Sequence, residues 1–283
     1  SLSDSTAVSV ASGATYNVDA SDTVGSIEGA GTISTSSIGL KTLSVGANNS
    51  TTVFSGSINN GLGSLSLVKL GTGGLTLSGT NTYTGATTIS VGSLSATGTL
   101  DSNLALVVAD GTTFILGRDS TIASLTGGGN VNLGSYRLVL SNASGTYSGV
   151  MSGTGGLTVM AGTLTLGGAN TYSGTTTISG GTVVVTNNSA LGSTAGGTSV
   201  ASGATLDLHN VSVGAEAITL AGGTLKDVTS SLAGNITLTA DSTLVATNAG
   251  DTLTLSGVIS GGYGITKTGA GTVVLSNNNT YTG

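Results

Sequence analysis

The chain has one histidine, His209, and it stands two residues from Asp207 in Leu206-Asp207-Leu208-His209-Asn210. A serine–histidine–aspartate device needs a base with a pKa near 7, and His209 is the sole imidazole able to serve. In an extended strand, residues two apart share a face, so Asp207 and His209 are within reach of one another while Leu206 and Leu208 point the opposite way. The expected setting for the pair is a solvated outer face, with no catalysis. The sequence has no Cys, which removes thiolate nucleophiles, thiolate metal sites and disulfides. The 12 acids are spread thinly, with Asp19, Asp22 and Glu28 closest together and Arg118-Asp119 an isolated pair. A glycosidase needs two carboxylates about 5–10 Å apart. Folding can gather such groups from distant segments, so spacing alone does not decide the matter. Gly127-Gly128-Gly129-Asn130 lacks the aspartate that a calcium-binding glycine repeat needs. The glycines of Gly71–Gly74 precede no helix that would cradle a phosphate. No catalytic residue, no cofactor and no metal site is expected.

Charge narrows the partners. Lys and Arg number 6 against 12 Asp and Glu, a formal net charge of −6. The cations Lys41, Lys69, Arg118, Arg137, Lys226 and Lys267 are far apart, whereas nucleic-acid binding needs them clustered. No stretch approaches the ~18 consecutive apolar residues of a membrane helix, so the segment is not expected to be membrane-embedded. About half the residues are Gly, Ser or Thr, a bias that suits a disordered linker. The 37% hydrophobic content and a mean hydropathy of +0.37 argue against one, because there is apolar surface to bury.

That apolar surface is patterned with period two. Leu65-Ser66-Leu67, Leu75-Thr76-Leu77, Leu164-Thr165-Leu166, Ile236-Thr237-Leu238 and Leu253-Thr254-Leu255 read as short strands with one face buried. Gly- and Asn-rich clusters between them read as turns. A longer repetition overlies the strands. Asn-Thr-Tyr-(Thr/Ser)-Gly occurs at Asn81–Gly85, Asn170–Gly174 and Asn279–Gly283. Val-Ala-Ser-Gly-Ala-Thr occurs at Val10–Thr15 and Val200–Thr205, with a variant at Val108–Thr113. The markers keep their order, which divides one continuous segment into units near 1–97, 98–186 and 187–283. The last unit ends inside its Asn-Thr-Tyr motif, and the segment is expected to lack both an export leader and a C-terminal barrel.

Very short strands with long irregular connections fit a coil in which each strand stacks on its equivalent one turn later. The expected fold is all-β, a right-handed parallel β-helix (β-solenoid) of roughly a dozen rungs and roughly 60 Å. Leu, Ile and Val stack inside, and Ser and Thr line the outside. Asn81, Asn170 and Asn279 are placed at turns, as ladders hydrogen-bonded from rung to rung. Tyr83, Tyr172 and Tyr281 are placed as corner caps whose hydroxyls reach water. With Gly85, Gly174 and Gly283 they form a structural repeat motif.

The stretches Ser256–Gly283, Leu67–Leu94 and Gly155–Val183 resemble the passenger-associated repeats of Gram-negative autotransporters, the type V secreted proteins. In the stretch Gly155–Val183, Met160-Ala161 replaces the Lys-x of the pattern before Gly162. The resemblance implies a passenger domain outside the cell, exported through an outer-membrane barrel. Its expected role is structural and adhesive, as a rod or fibre for adhesion, aggregation or biofilm matrix. Its expected partners are a host or neighbouring-cell surface, or other copies of itself stacked end to end or side by side. Two alternatives are a polysaccharide-acting enzyme and an ice- or crystal-binding solenoid. The first needs acids and Lys or Arg gathered in a groove, and the second a flat Thr array.

Overall fold

The computed structural model describes all residues, Ser1–Gly283. Every regular element is a strand. No helix long and apolar enough to cross a membrane is present. The chain forms two compact units, Ser1–Leu138 and Val139–Gly283.

In the first unit, one stack runs through Ser26–Gly29, Thr52–Phe54, Gly74–Leu77, Ser93–Ala96 and Thr113–Leu116. A second runs through Asp22–Val24, Leu40–Val45, Ser64–Lys69, Thr87–Ile89, Ala105–Val108 and Ser124–Gly127. Successive members are parallel and in register, as at Leu75↔Leu94 and Thr87↔Leu106. Parallel neighbours need a crossover, and here the rest of each turn supplies it. Alternation sends Leu75 and Leu77 into the core and leaves Thr76 between them at the surface. Val24, Val45, Lys69, Ile89 and Val108 form one inward column, in which a lysine takes an apolar residue's place.

The second unit repeats this plan. Gly162–Leu166, Thr182–Val185, Thr205–His209, Thr224–Val228, Ser242–Ala246 and Ile265–Thr268 stack in parallel. Leu157–Val159, Thr176–Ile178, Thr198–Ala201, Ile218–Ala221 and Ile236–Ala240 form another stack. Ser212–Val213, Ser230–Leu232, Thr252–Leu255 and Thr272–Leu275 form a third. The architecture is the expected parallel β-solenoid, with about 14 turns against the expected dozen or so.

Registry orders the surface of the second unit. Thr163, Thr182, Thr205, Thr224, Thr243 and Thr266 follow one another in a single outer column. Branched Cβ atoms suit this position, because they pack well on a pleated surface. The neighbouring outward column holds Val184, Asp207, Lys226 and Val245, so the threonines form a file and not a two-dimensional array.

Candidate functional site

The Asn-Thr-Tyr motifs build internal clamps. Asn81 is buried, and its Oδ1 accepts from the Ile58 backbone N–H at 3.2 Å, one turn back. Its Nδ2 donates to the Thr99 carbonyl at 3.2 Å, one turn on, and to Gly79 O at 3.1 Å. Asn170 does the same with Met151 N–H at 2.8 Å and the Ala190 carbonyl at 2.6 Å. Asn279 accepts from Ile259 N–H at 2.8 Å. The asparagines therefore bridge turns through backbone groups and not as a ladder of side chains. Copies of the motif lie several turns apart, so no asparagine has another motif asparagine as its neighbour.

Tyr83 and Tyr172 are fully buried, which corrects the expectation of a hydroxyl in water. Each hydroxyl instead meets a threonine four residues on, Thr87 and Thr176, at 2.6 Å in both copies. Burial pushes both phenols well above the ordinary tyrosine value. Tyr281 is half-buried. The motif glycines are required by close approach. A Cβ on Gly85 would lie 2.2 Å from Leu65 O, and one on Gly174 would lie 2.4 Å from Gly155 O. Gly283 likewise has no room, with Gly264 N at 2.2 Å.

Lys69 is buried in the core column without a carboxylate partner. Its ammonium donates to the carbonyls of Leu70, Gly71 and Val91, the last two at 2.8 and 3.3 Å. Burial lowers its pKa. In the second copy Val159 occupies this place, since it pairs with Ile178 as Lys69 pairs with Ile89. Met160, the residue expected to replace the lysine, is exposed.

Asp207 and His209 do share an outer strand face, but Asp207 is not solvated. Its side chain is only 5% exposed, against 37% for His209 and 36% for Lys226. Lys226 Nζ lies 2.7 Å from Asp207 Oδ2, and His209 Nε2 lies 3.2 Å from Oδ1. The register Asp207↔Lys226 across adjacent turns makes the ion pair. The cluster offers one carboxylate, one imidazole and one amine, not the two carboxylates of a glycosidase. Asp19 and Asp22 line one open groove, but Glu28 is not among its residues. Asp19 accepts from Ser36 N–H and hydroxyl at 2.6 and 2.7 Å, which lowers its pKa. Asp22 accepts from Tyr16 at 3.2 Å, and Glu28 is exposed on another sheet. Desolvation and Asp22 push the Tyr16 phenol up to about 12. Asp119 accepts from the Arg137 backbone N–H at 2.9 Å.

Sequence reasoning missed three further groups in the second unit. Glu216 is buried, accepts from the Thr198 hydroxyl at 2.8 Å, and has its pKa raised by desolvation. Asp227 is buried with neither oxygen hydrogen-bonded, although the Ser230 hydroxyl and the Thr229 and Ser230 amides lie close enough to ease its charge. Desolvation still raises its pKa, and Asp251 nearby adds to the rise. An open groove of about 480 Å³ lies over the same turns, lined by residues 210–212, 229–231, Thr252 and Thr254. The inward slot of Asp227 was legible as Leu225-x-Asp227, whereas the partner of Glu216 required the register.

Short parallel strands stacked turn on turn and pinned by buried Asn and Tyr clamps define a β-solenoid built from a transport-type repeat. The family model for the passenger-associated-transport-repeat matches residues 67–96, 161–185 and 265–283, the segments that hold the clamps. The chain is also 32% identical over 249 residues to the adhesin BmaC autotransporter of Brucella suis biovar 1 (strain 1330). That match covers 78% of this chain and 7% of the relative, so the chain spans a small part of that protein's length. No solved structure matches the chain. The chain is an autotransporter passenger segment carrying passenger-associated repeats.

Proposed function

We propose that the chain is an adhesive, non-catalytic passenger segment that stands outside a Gram-negative cell and contacts a neighbouring surface or other copies of itself. The observation that carries this reading is the similarity to an adhesin over 78% of the chain. The surface is compatible with it. Only 6% of residues are charged, and the second unit presents a file of threonine hydroxyls without a like-charge barrier to close approach. Side-by-side contact between copies uses these faces.

The test is display of the chain on a non-adherent Gram-negative host through an unrelated outer-membrane barrel. External protease should remove the segment from intact cells. Displaying cells should settle faster, or hold to epithelial monolayers or glass, relative to cells showing the barrel alone. Protected chain would overturn the location, and unchanged settling and attachment would overturn the adhesive role.

A further inference from the structure

The groove in the second unit has features that the repeat does not explain. It crosses three turns, with Ser212, Ser231 and Thr254 in register along it. Ser212 and Ser231 hydroxyls stand 3.2 Å apart. Asn210 and Thr229, on successive turns, both take left-handed backbone angles, with φ of 51° and 50°. Such a conformation is a true outlier for a β-branched threonine, and strain of this kind collects at ligand clamps. Beneath the floor, fully buried Asp227 has two oxygens without hydrogen bonds and lies against the Thr229–Ser230 turn. The volume, about 480 Å³, falls in the small-molecule range of about 300–1,000 Å³.

We propose that this groove binds a neutral saccharide unit of a surface glycan. The lining residues supply an amide and several hydroxyls, groups that donate and accept as sugar hydroxyls do. No cation lines the groove to hold an anionic sugar. A peptide added as a strand is excluded by pairing. The Ser230–Leu232 and Thr252–Leu255 strands are bonded on both sides, and Asn188 Oδ1 already takes the Ser212 N–H at 2.8 Å. With no aromatic platform in the lining, each site is weak, and useful adhesion comes from many copies on one cell. The inference deepens the adhesive reading and rests on it for its biological sense, though not for the binding itself.

The experiment is titration of the isotope-labelled whole chain with cellobiose, chitobiose and maltose at millimolar concentration, with digalacturonic acid as the anionic control. A neutral disaccharide is expected to shift amides at 210–212, 229–231 and 252–254. Ser231→Phe, which fills the groove, should weaken binding by about tenfold or more, while Thr88→Phe in the first unit leaves it unchanged. Melting curves of both variants verify the fold. The proposal is overturned by the absence of shifts with all three neutral sugars, by equal binding of the anionic sugar, or by retained affinity in folded Ser231→Phe. Adhesion that persists in displayed Ser231→Phe cells overturns the groove as the adhesive contact and leaves the adhesive role standing. Sugar binding without adhesion does the reverse.

Discussion

The clamps around Tyr83 and Tyr172 share one local geometry and have different surroundings. In each, an asparagine joins the turn before to the turn after, and a tyrosine hydroxyl meets a threonine at 2.6 Å. Thr87 lies between Leu67 and Leu106, so the first clamp is a polar island in an apolar column. Thr176 lies between Leu157 and Thr198, and Thr198 donates onward to Glu216. The repeat dictates the clamp, while the following turn, which lies outside the repeat, decides whether the polar cluster ends there or continues to a buried carboxylate.

The same contrast holds for buried charge. The first unit encloses an ammonium, Lys69, and the second encloses carboxylates, Glu216 and Asp227. Neither sign has its opposite as a direct partner in these three cases, so desolvation dominates and the pKa shifts oppose one another. For the carboxylates, the folded state holds the proton more tightly than the unfolded chain. Their contribution is therefore most favourable in acid and declines as pH rises from the ordinary carboxylate value through the raised one. For Lys69, the folded state holds its proton less tightly. Its penalty is complete at low pH and is relieved as pH rises from the depressed value toward 10.5.

The largest expected effect tests whether the clamps are equivalent. Asn81→Ala and Asn170→Ala each strip a buried bridge and leave one backbone N–H, that of Ile58 or Met151, without its acceptor, so each should cost about 3 kcal/mol. Hydrogen exchange should rise near Ile58 and Thr99 in the first variant, and near Met151 and Ala190 in the second. Losses in urea unfolding that differ by more than about 1 kcal/mol would break the equivalence that the geometry implies.

Lys69→Met comes next. Three carbonyls lose their donor, for a cost of about 2 kcal/mol at neutral pH in the first unit. Its stability should also stop rising with pH on the alkaline side, between the depressed lysine value and 10.5. A variant that keeps the wild-type alkaline slope would show that Lys69 is not the group responsible. Glu216→Gln makes the opposite test in the second unit. It should remove part of the fall in stability as pH rises through the carboxylate range, leaving the remainder to Asp227.

The fold was readable because it is written twice, in the period-two alternation of Leu75-Thr76-Leu77 and in the recurring motif order. The clamp residues were readable as a set, but their environment was not. Nothing local to Tyr83 tells that its ring turns inward, since that depends on the space left by neighbouring turns. Lys69 was masked by its type, although Leu65-x-Leu67-x-Lys69 places it on the buried face. The Asp207–Lys226 pair spans 19 residues, and only the register brings it to 2.7 Å. Turn lengths vary, so neither that pair nor Thr198–Glu216 follows from spacing.

The smallest expected effect is the sharpest test of how far the two clamps diverge. Tyr83→Phe and Tyr172→Phe each remove one buried hydroxyl bond, a cost of about 1 kcal/mol. Tyr172 meets Thr176, which stacks on the Thr198 that donates to Glu216, whereas the threonine that meets Tyr83 lies between two leucines. In a double-mutant cycle at neutral pH, Glu216→Gln should therefore couple to Tyr172→Phe by about 0.5 kcal/mol or more and be additive with Tyr83→Phe. The coupling should fade in acid, where Glu216 is protonated in both backgrounds. Coupling to both tyrosines would mean that the charge is felt through the solenoid as a whole. Coupling to neither would confine the clamp to the hydroxyl pair at 2.6 Å, and the two copies would then be energetically one motif.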